Sequence, residues 1–243
     1  MLKRILKYIF VAIIICYSLF AMIVIPTLRD NGTCKEVLVD ISKNNFETIS
    51  NEEVLEILDE SGINPELKKM DEVVCSDIEQ HFNNISLIKE CQVYKGNKDY
   101  LNIKIDCREP IIRIHDKNNN IYYVDSEGNI IRGITRALHL PIATGNIVDS
   151  MATKEIKEIA SAIQSNKFWT AQIEQIHFND KKEVIIIPRV GDHVIELGAA
   201  ENVEEKLEKL YTFYHEGMNK IGWNKYSKLN IEFGDKVICT KRD

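Results

Sequence analysis

Between Tyr8 and Ile25 the chain carries an apolar run broken only by Ser18, about the eighteen residues a helix needs to begin spanning a hydrocarbon core of roughly 30 Å. No other feature constrains the molecule as strongly, because it ties everything downstream to a membrane surface. Lys3, Arg4 and Lys7 precede the run and no acidic residue appears before Asp30, so the positive-inside rule predicts a short cytoplasmic tail over 1–7, a membrane helix over 8–26 and an exported body. A cleaved signal peptide would have a shorter apolar core ending in a small-x-small site, whereas this run ends Ala21-Met22-Ile23-Val24-Ile25-Pro26. Cys16 lies inside the run behind Ile13-Ile14-Ile15, without the small residue of a lipoprotein cleavage site, and reads as a lipid-facing or packing residue.

The exported part is large enough for two cores. It is acidic: the chain has 37 Asp and Glu against 31 Lys and Arg, and four of the basic residues, Lys3, Arg4, Lys7 and Arg29, precede Asp30. That balance argues against nucleic acid or anionic lipid as a main partner, since both require clustered cations. Cys34, Cys75, Cys91, Cys107 and Cys239 are odd in number and have no x-x spacing, so they form neither a zinc knuckle nor a disulfide scaffold. Cys91 and Cys107 share parity with Val93 and with Ile103 and Ile105, the pattern of buried thiols on a core face. An oxidised Cys34–Cys75 pair is the alternative.

Periodicity predicts the elements. Val37, Val39 and Ile41 alternate over Glu36–Ser42 as in a half-buried strand. Ser50-Asn51-Glu52-Glu53 forms a capping box that opens a helix ending at Gly62. A helix over Ser76–Phe82 and a hairpin of Ile88–Tyr94 with Tyr100–Arg108 complete a strand-helix-helix-strand-strand unit over 34–108. Pro110 lacks an amide donor, so it is expected to interrupt the ladder and begin a second, mainly β domain over 109–243. There, short strands are predicted at Ile111–His115, Ile121–Val124 and Ile130–Ile131, then a helix capped by Thr153. Strands at Gln172–Phe178, Glu183–Ile187 and His193–Leu197 follow, then a helix capped by Asn202. Lys228–Phe233 and Lys236–Thr240 form a terminal hairpin, with Leu229, Ile231 and Phe233 facing one way. Trp223 is expected to plug the helix-to-strand corner of the core, the alternative being a place at an interface. The fold class is α+β.

Catalytic signatures are missing. His81, His115, His139, His177, His193 and His215 have no H-x-x-x-H or H-E-x-x-H spacing, and there is neither a phosphate-binding glycine loop nor a G-x-S-x-G elbow. No catalytic, metal or cofactor residue is predicted, nor any small-molecule substrate. A membrane-bound hydrolase would need a convergent nucleophile and base, and none is visible.

Several segments together resemble one family. Arg108-Glu109-Pro110-Ile111-Ile112-Arg113-Ile114 is similar to the join between the POTRA and β domains of the FtsQ/DivIB family of bacterial cell-division proteins. Tyr122 to Gly128 resembles its "xxVDxxG" hairpin and Leu140 to Gly145 its "LPxxxG" turn. His193 to Gly198 with Lys206-Leu207 resembles its late strand and helix. In order, these motifs cover nearly the whole chain, and the short tail and acidic balance point to a divergent branch of the Bacteroidetes kind. The resemblance implies a single-pass inner-membrane protein with a periplasmic body at the division septum. It would be a non-enzymatic scaffold that binds FtsB-like and FtsL-like coiled-coil proteins and helps recruit septal wall synthesis. It also implies that the last strands receive the partner by β-augmentation, which puts the contact at Glu232, Phe233, Val237, Ile238 and Cys239. Lys236, Lys241 and Arg242 could instead protect that edge. The alternative function is a POTRA-bearing chaperone or transport module that handles extended polypeptide; such proteins carry a β-barrel, which the remaining strands cannot build.

Overall fold

The structure, a computed structural model, describes residues 10, 13–22, 32–43, 45–234 and 236–242. The predicted tail over 1–7 and much of the predicted span over 8–26 lie outside the described residues. Residues 13–22 are helical, and Ile13, Ile14, Ile15, Tyr17, Leu19, Phe20 and Met22 are exposed. Among the described residues no helix is long and apolar enough to cross a membrane.

The first unit is a three-stranded sheet in the order β1-β3-β2, built from β1 (Glu36–Ile41), β2 (Ile88–Lys95) and β3 (Tyr100–Cys107). β1 pairs in parallel with β3, and β2 antiparallel to it. α1 (Asn51–Glu60) and α2 (Cys75–Asn83) cover one face. The capping box forms: Ser50 Oγ accepts from the Glu53 amide and Glu53 accepts from the Ser50 amide, a cap worth about 1 kcal/mol. Val54, Leu58, Ile78 and Phe82 from the helices meet Leu101, Ile103 and Ile105 from β3, with Cys34, Cys91 and Cys107 buried beside them. All the cysteines are free, so no Cys34–Cys75 bond is formed.

The second unit is a nine-stranded mixed sheet in the order β12-β11-β10-β9-β8-β7-β4-β5-β6. Its strands are β4 (Pro110–Asp116), β5 (Ile121–Asp125), β6 (Ile130–Ile131), β7 (Ile142–Gly145), β8 (Ile173–Phe178), β9 (Val184–Pro188), β10 (Val194–Gly198), β11 (Tyr226–Asn230) and β12 (Ile238–Lys241). Helix α3 covers 149–164 and includes a π turn at Ala152–Ile156; α4 is Lys167–Gln172; α5 covers 203–221 with a π turn at Tyr214–Met218. The core lies between these helices and the sheet, with Ile159, Ile163, Trp169, Leu207, Leu210 and Tyr214 packed over Ile114, Ile176, Ile186, Ile195 and Leu229.

Several expectations need correction. The ladder does stop before Pro110, since β3 ends at Cys107 and the next strand belongs to the other sheet. But that strand starts at Pro110 itself, one residue before the predicted Ile111, pairing with Asp125; a first strand position suits a residue without an amide donor. The "LPxxxG" segment is not only a turn: Ile142–Gly145 is an interior strand between β4 and β8, parallel to both. Its Gly145 is required there, since φ is +108° and a Cβ would lie 2.1 Å from the Phe178 carbonyl oxygen. The region has three helices, not two, because Asn166 caps α4 by accepting from the Phe168 amide. Thr153 is no cap; helix α3 starts at Asp149, and the Thr153 hydroxyl donates to the Ser150 carbonyl. Asn202 makes no side-chain cap either, because it is left-handed at φ +52°.

Polar links join the two units. Arg108 Nη1 lies 3.1 Å from Asp125 Oδ2, Lys89 is 2.9 Å from Glu127, and Arg136 donates to Glu53 at 2.8 Å and to the Glu47 carbonyl at 2.7 Å. Leu87, Tyr123 and Ile131 form a small apolar cluster between these links. This explains the V-D-x-x-G hairpin physically: Asp125 Oδ1 accepts from the amides of Glu127 and Asn129, closing the turn, while Oδ2 receives Arg108. Burial raises the Asp125 carboxyl, but Asn129 and Arg108 outweigh it and hold the group below its ordinary value.

Candidate partner-binding edge

β12 ends the nine-stranded sheet and has a strand on one side only. Backbone alternation identifies which of its groups are free. The Ile231 amide donates to the Glu196 carbonyl of β10, so Leu229 also turns towards β10, and Lys228 and Asn230 turn towards β12. Their partners Thr240 and Ile238 face inward. The amide and carbonyl of Cys239 therefore point away from the sheet, available to an added strand. The Cys239 side chain lies half-buried against the helix-side core with Val237, and burial raises its thiol pKa. Ile238 projects from the opposite face and is 52% exposed.

The approach to this strand is held by its neighbours. β11 stops at Asn230, short of the expected Phe233, because Asn230 Oδ1 accepts from the Glu232 amide and bends the chain. The expected alternation therefore holds only through buried Ile231; Phe233 is turned outward and is 57% exposed. Lys209 of α5 donates to the Ile231 carbonyl at 3.1 Å and to the Gly234 carbonyl, pinning the loop from both sides. Exposed Glu232 lays its side chain over Gly198, where φ is +74° and a Cβ would lie 2.5 Å from Glu232 Cγ. Only glycine leaves that space. Lys206 donates to the carbonyls of Leu197 at 3.0 Å and Ala199 at 2.8 Å. Burial lowers its pKa, opposed by Glu232 and Glu201. Lys228 pairs with Glu196 at 2.7 Å, and Asn230 donates to the same carboxylate at 3.1 Å.

The structure thus brings Glu232 and Phe233 onto one clamped loop and Val237, Ile238 and Cys239 onto the strand that follows. Sequence reasoning names Gly198 and Lys206 only as parts of the family-like late strand and helix, without this role, and misses Lys209. Of these, only the glycine carries a local signal, at the end of a predicted strand. Trp223 packs against the core, half-buried, at the corner between α5 and β11. Its ring lies 4.9 Å from Tyr214, above the buried His193, whose Nε2 is 2.6 Å from the Tyr214 hydroxyl. A concavity of about 630 Å³ between α3 and the start of α5 is lined by residues that include Lys154, Lys157, Glu158 and Glu204 and by no histidine or cysteine. Among the described residues no group of three or more His, Cys, Asp or Glu could hold a metal ion.

The other sheet has a contrasting edge. The β2 amides of Cys91 and Val93 point outward, but Asn83 Oδ1 accepts from Cys91 at 2.9 Å and Glu79 Oε1 accepts from Val93 at 2.7 Å. Both acceptors come from α2, so this edge is capped by the molecule itself.

Comparison with protein families matches residues 32–106 to a POTRA-like domain and residues 109–240 to the domain described as FtsQ/DivIB, C-terminal related. No characterised protein matches the chain in sequence. With the C-terminal match covering more than half of the chain behind a POTRA-like unit, and a mixed sheet whose last strand is paired on one side only, the chain belongs to the FtsQ/DivIB-type family.

Proposed function

We propose that the protein is a membrane-anchored, non-enzymatic scaffold of bacterial cell division. It receives an extended segment of an FtsB-like coiled-coil protein, with an FtsL-like companion, along the outer edge of β12. The observation that carries this reading is the outward-facing backbone of Cys239 beside a clamped loop that displays Phe233. A strand added there would gain main-chain hydrogen bonds from β12 and side-chain specificity from Phe233, Ile238 and Glu232. Family membership supports the division role, and assembly of septal wall synthesis on this scaffold is its expected consequence.

In this reading residues 8–26 anchor the chain in the inner membrane. Residues 1–7 stay in the cytoplasm, and the units over 34–108 and 109–243 lie in the periplasm at the septum. The apolar run behind Lys3, Arg4 and Lys7 supports that topology. So does the exposure of every large apolar side chain over 13–22, which leaves them for lipid. Depletion of the protein should give long undivided cells, restored by the native chain but not by one carrying Phe233→Asp. Normal division on depletion would overturn the division role. Rescue by the variant would overturn the site alone.

A further inference from the structure

We propose that the loop Pro65–Met70 is a second membrane contact, in which Leu67 inserts at the boundary between phospholipid headgroups and acyl chains and Lys68 and Lys69 meet the phosphates. The proposal rests on the reading of residues 8–26 as an anchor. Leu67 is the most exposed large apolar side chain of the body, at 86%, and its backbone is left-handed at φ +64°, a conformation that disfavours a leucine. The loop is nevertheless held firmly. Leu67 donates to the Cys34 carbonyl, Cys34 to the Lys68 carbonyl and Met70 to the Gly32 carbonyl, at 3.1, 2.8 and 3.0 Å, and Lys95 Nζ donates to the Met70 carbonyl.

These bonds fasten the loop to the residues by which the chain leaves the predicted anchor. Six residue steps separate residue 26 from Gly32, at most about 20 Å of chain, so the loop lies within reach of the bilayer surface. Strand direction orients it. β1 and β3 both start at this end, with Glu36 opposite Tyr100, and run towards Cys107 and the links to the second unit. Leu67 therefore sits at the end of the small sheet away from the large one, on the side of the anchor. Lys68 and Lys69 are exposed, but so are Glu66, Asp71 and Glu72, so the leucine leads the contact and the lysines assist it.

The test uses the full chain in vesicles of phosphatidylethanolamine and phosphatidylglycerol, with a benzophenone amino acid in place of Leu67 or, separately, of exposed Ile121 on β5. The expected result on irradiation is a lipid adduct several-fold more abundant from position 67 than from position 121. Equal or absent lipid adducts in a chain that floats with alkali-washed vesicles would overturn the loop contact while leaving the anchor. An adduct from position 67 to another protein chain would overturn it as well. A chain that does not float would overturn the anchor and the contact together.

Discussion

β2 and β12 are both sheet edges, and the protein treats them in opposite ways. On β2 the outward amides of Cys91 and Val93 are occupied by Asn83 and Glu79 of the adjacent helix; on β12 the outward backbone of Cys239 has no strand beyond it. An open edge invites unwanted pairing, so the contrast with the closed β2 edge supports the proposed use of β12, which with β1 and β6 is one of the sheet ends lacking a second neighbouring strand. The residues around β12 point the same way: Lys209 and Lys206 fix the loop and the neighbouring strand end through main-chain carbonyls, while Phe233 and Ile238 are left exposed.

The contrast can be broken at either edge. The largest effect is expected from Phe233→Asp, which should reduce capture of the FtsB-like partner by more than tenfold, over about 1.4 kcal/mol. An exposed position should leave thermal unfolding within about 0.5 kcal/mol, so pull-down and circular dichroism together separate lost recognition from lost folding. Cys239→Pro comes next. It removes an outward amide without touching the inward pairs at Ile238 and Thr240, and proline is tolerated where an edge amide faces solvent. Partner affinity should fall by about 1 kcal/mol, the worth of one hydrogen bond, as read by calorimetric titration. Thr240→Pro should instead unpair the strand and lower stability.

At the closed edge, Glu79→Ala with Asn83→Ala should leave the Val93 and Cys91 amides without partners. A loss of about 1–3 kcal/mol in chemical unfolding and new self-association in sedimentation are expected; unchanged stability and a monomer would show that the caps do not close the edge. The smallest effect at the partner edge is expected from Asp125→Asn, since Asp125 sits on β5, at the far end of the large sheet from β12. Partner binding should be unaltered. Because the folded carboxyl lies below its ordinary value, its stabilisation is complete above the unfolded value of about 3.9. It is lost as pH falls from there through the folded value, so the native protein should weaken in that window and the variant should show a flatter acid profile.

Much of the fold was legible because its elements declare themselves locally. Alternation identified β1, β2 and β3, and the Ser50–Glu53 spacing identified the first helix and its cap. Helical spacing puts Val203, Leu207, Leu210, Tyr211, Tyr214 and Met218 on one apolar stripe, and of these only Tyr211 is not buried. Elements made by context were missed. β7 has four residues, a single buried side chain at Ala143, and a place between two partners distant in sequence. α4 has six residues and depends on burying Trp169. At the candidate site, alternation carried Phe233 inward on paper, but the Asn230 side chain ends the strand and turns the phenylalanine out. The lysine clamps were beyond sequence reasoning, since a lysine on a helix does not announce a carbonyl 22 residues away.

The central claim is that a partner strand pairs with the outer edge of β12, and exchange of the Cys239 backbone amide measures it most directly. With the extracytoplasmic segment of the FtsB-like partner bound, the account predicts that this amide slows strongly while those of Cys91 and Val93 do not change. Binding that leaves Cys239 exchanging as it does in the free protein would contradict it.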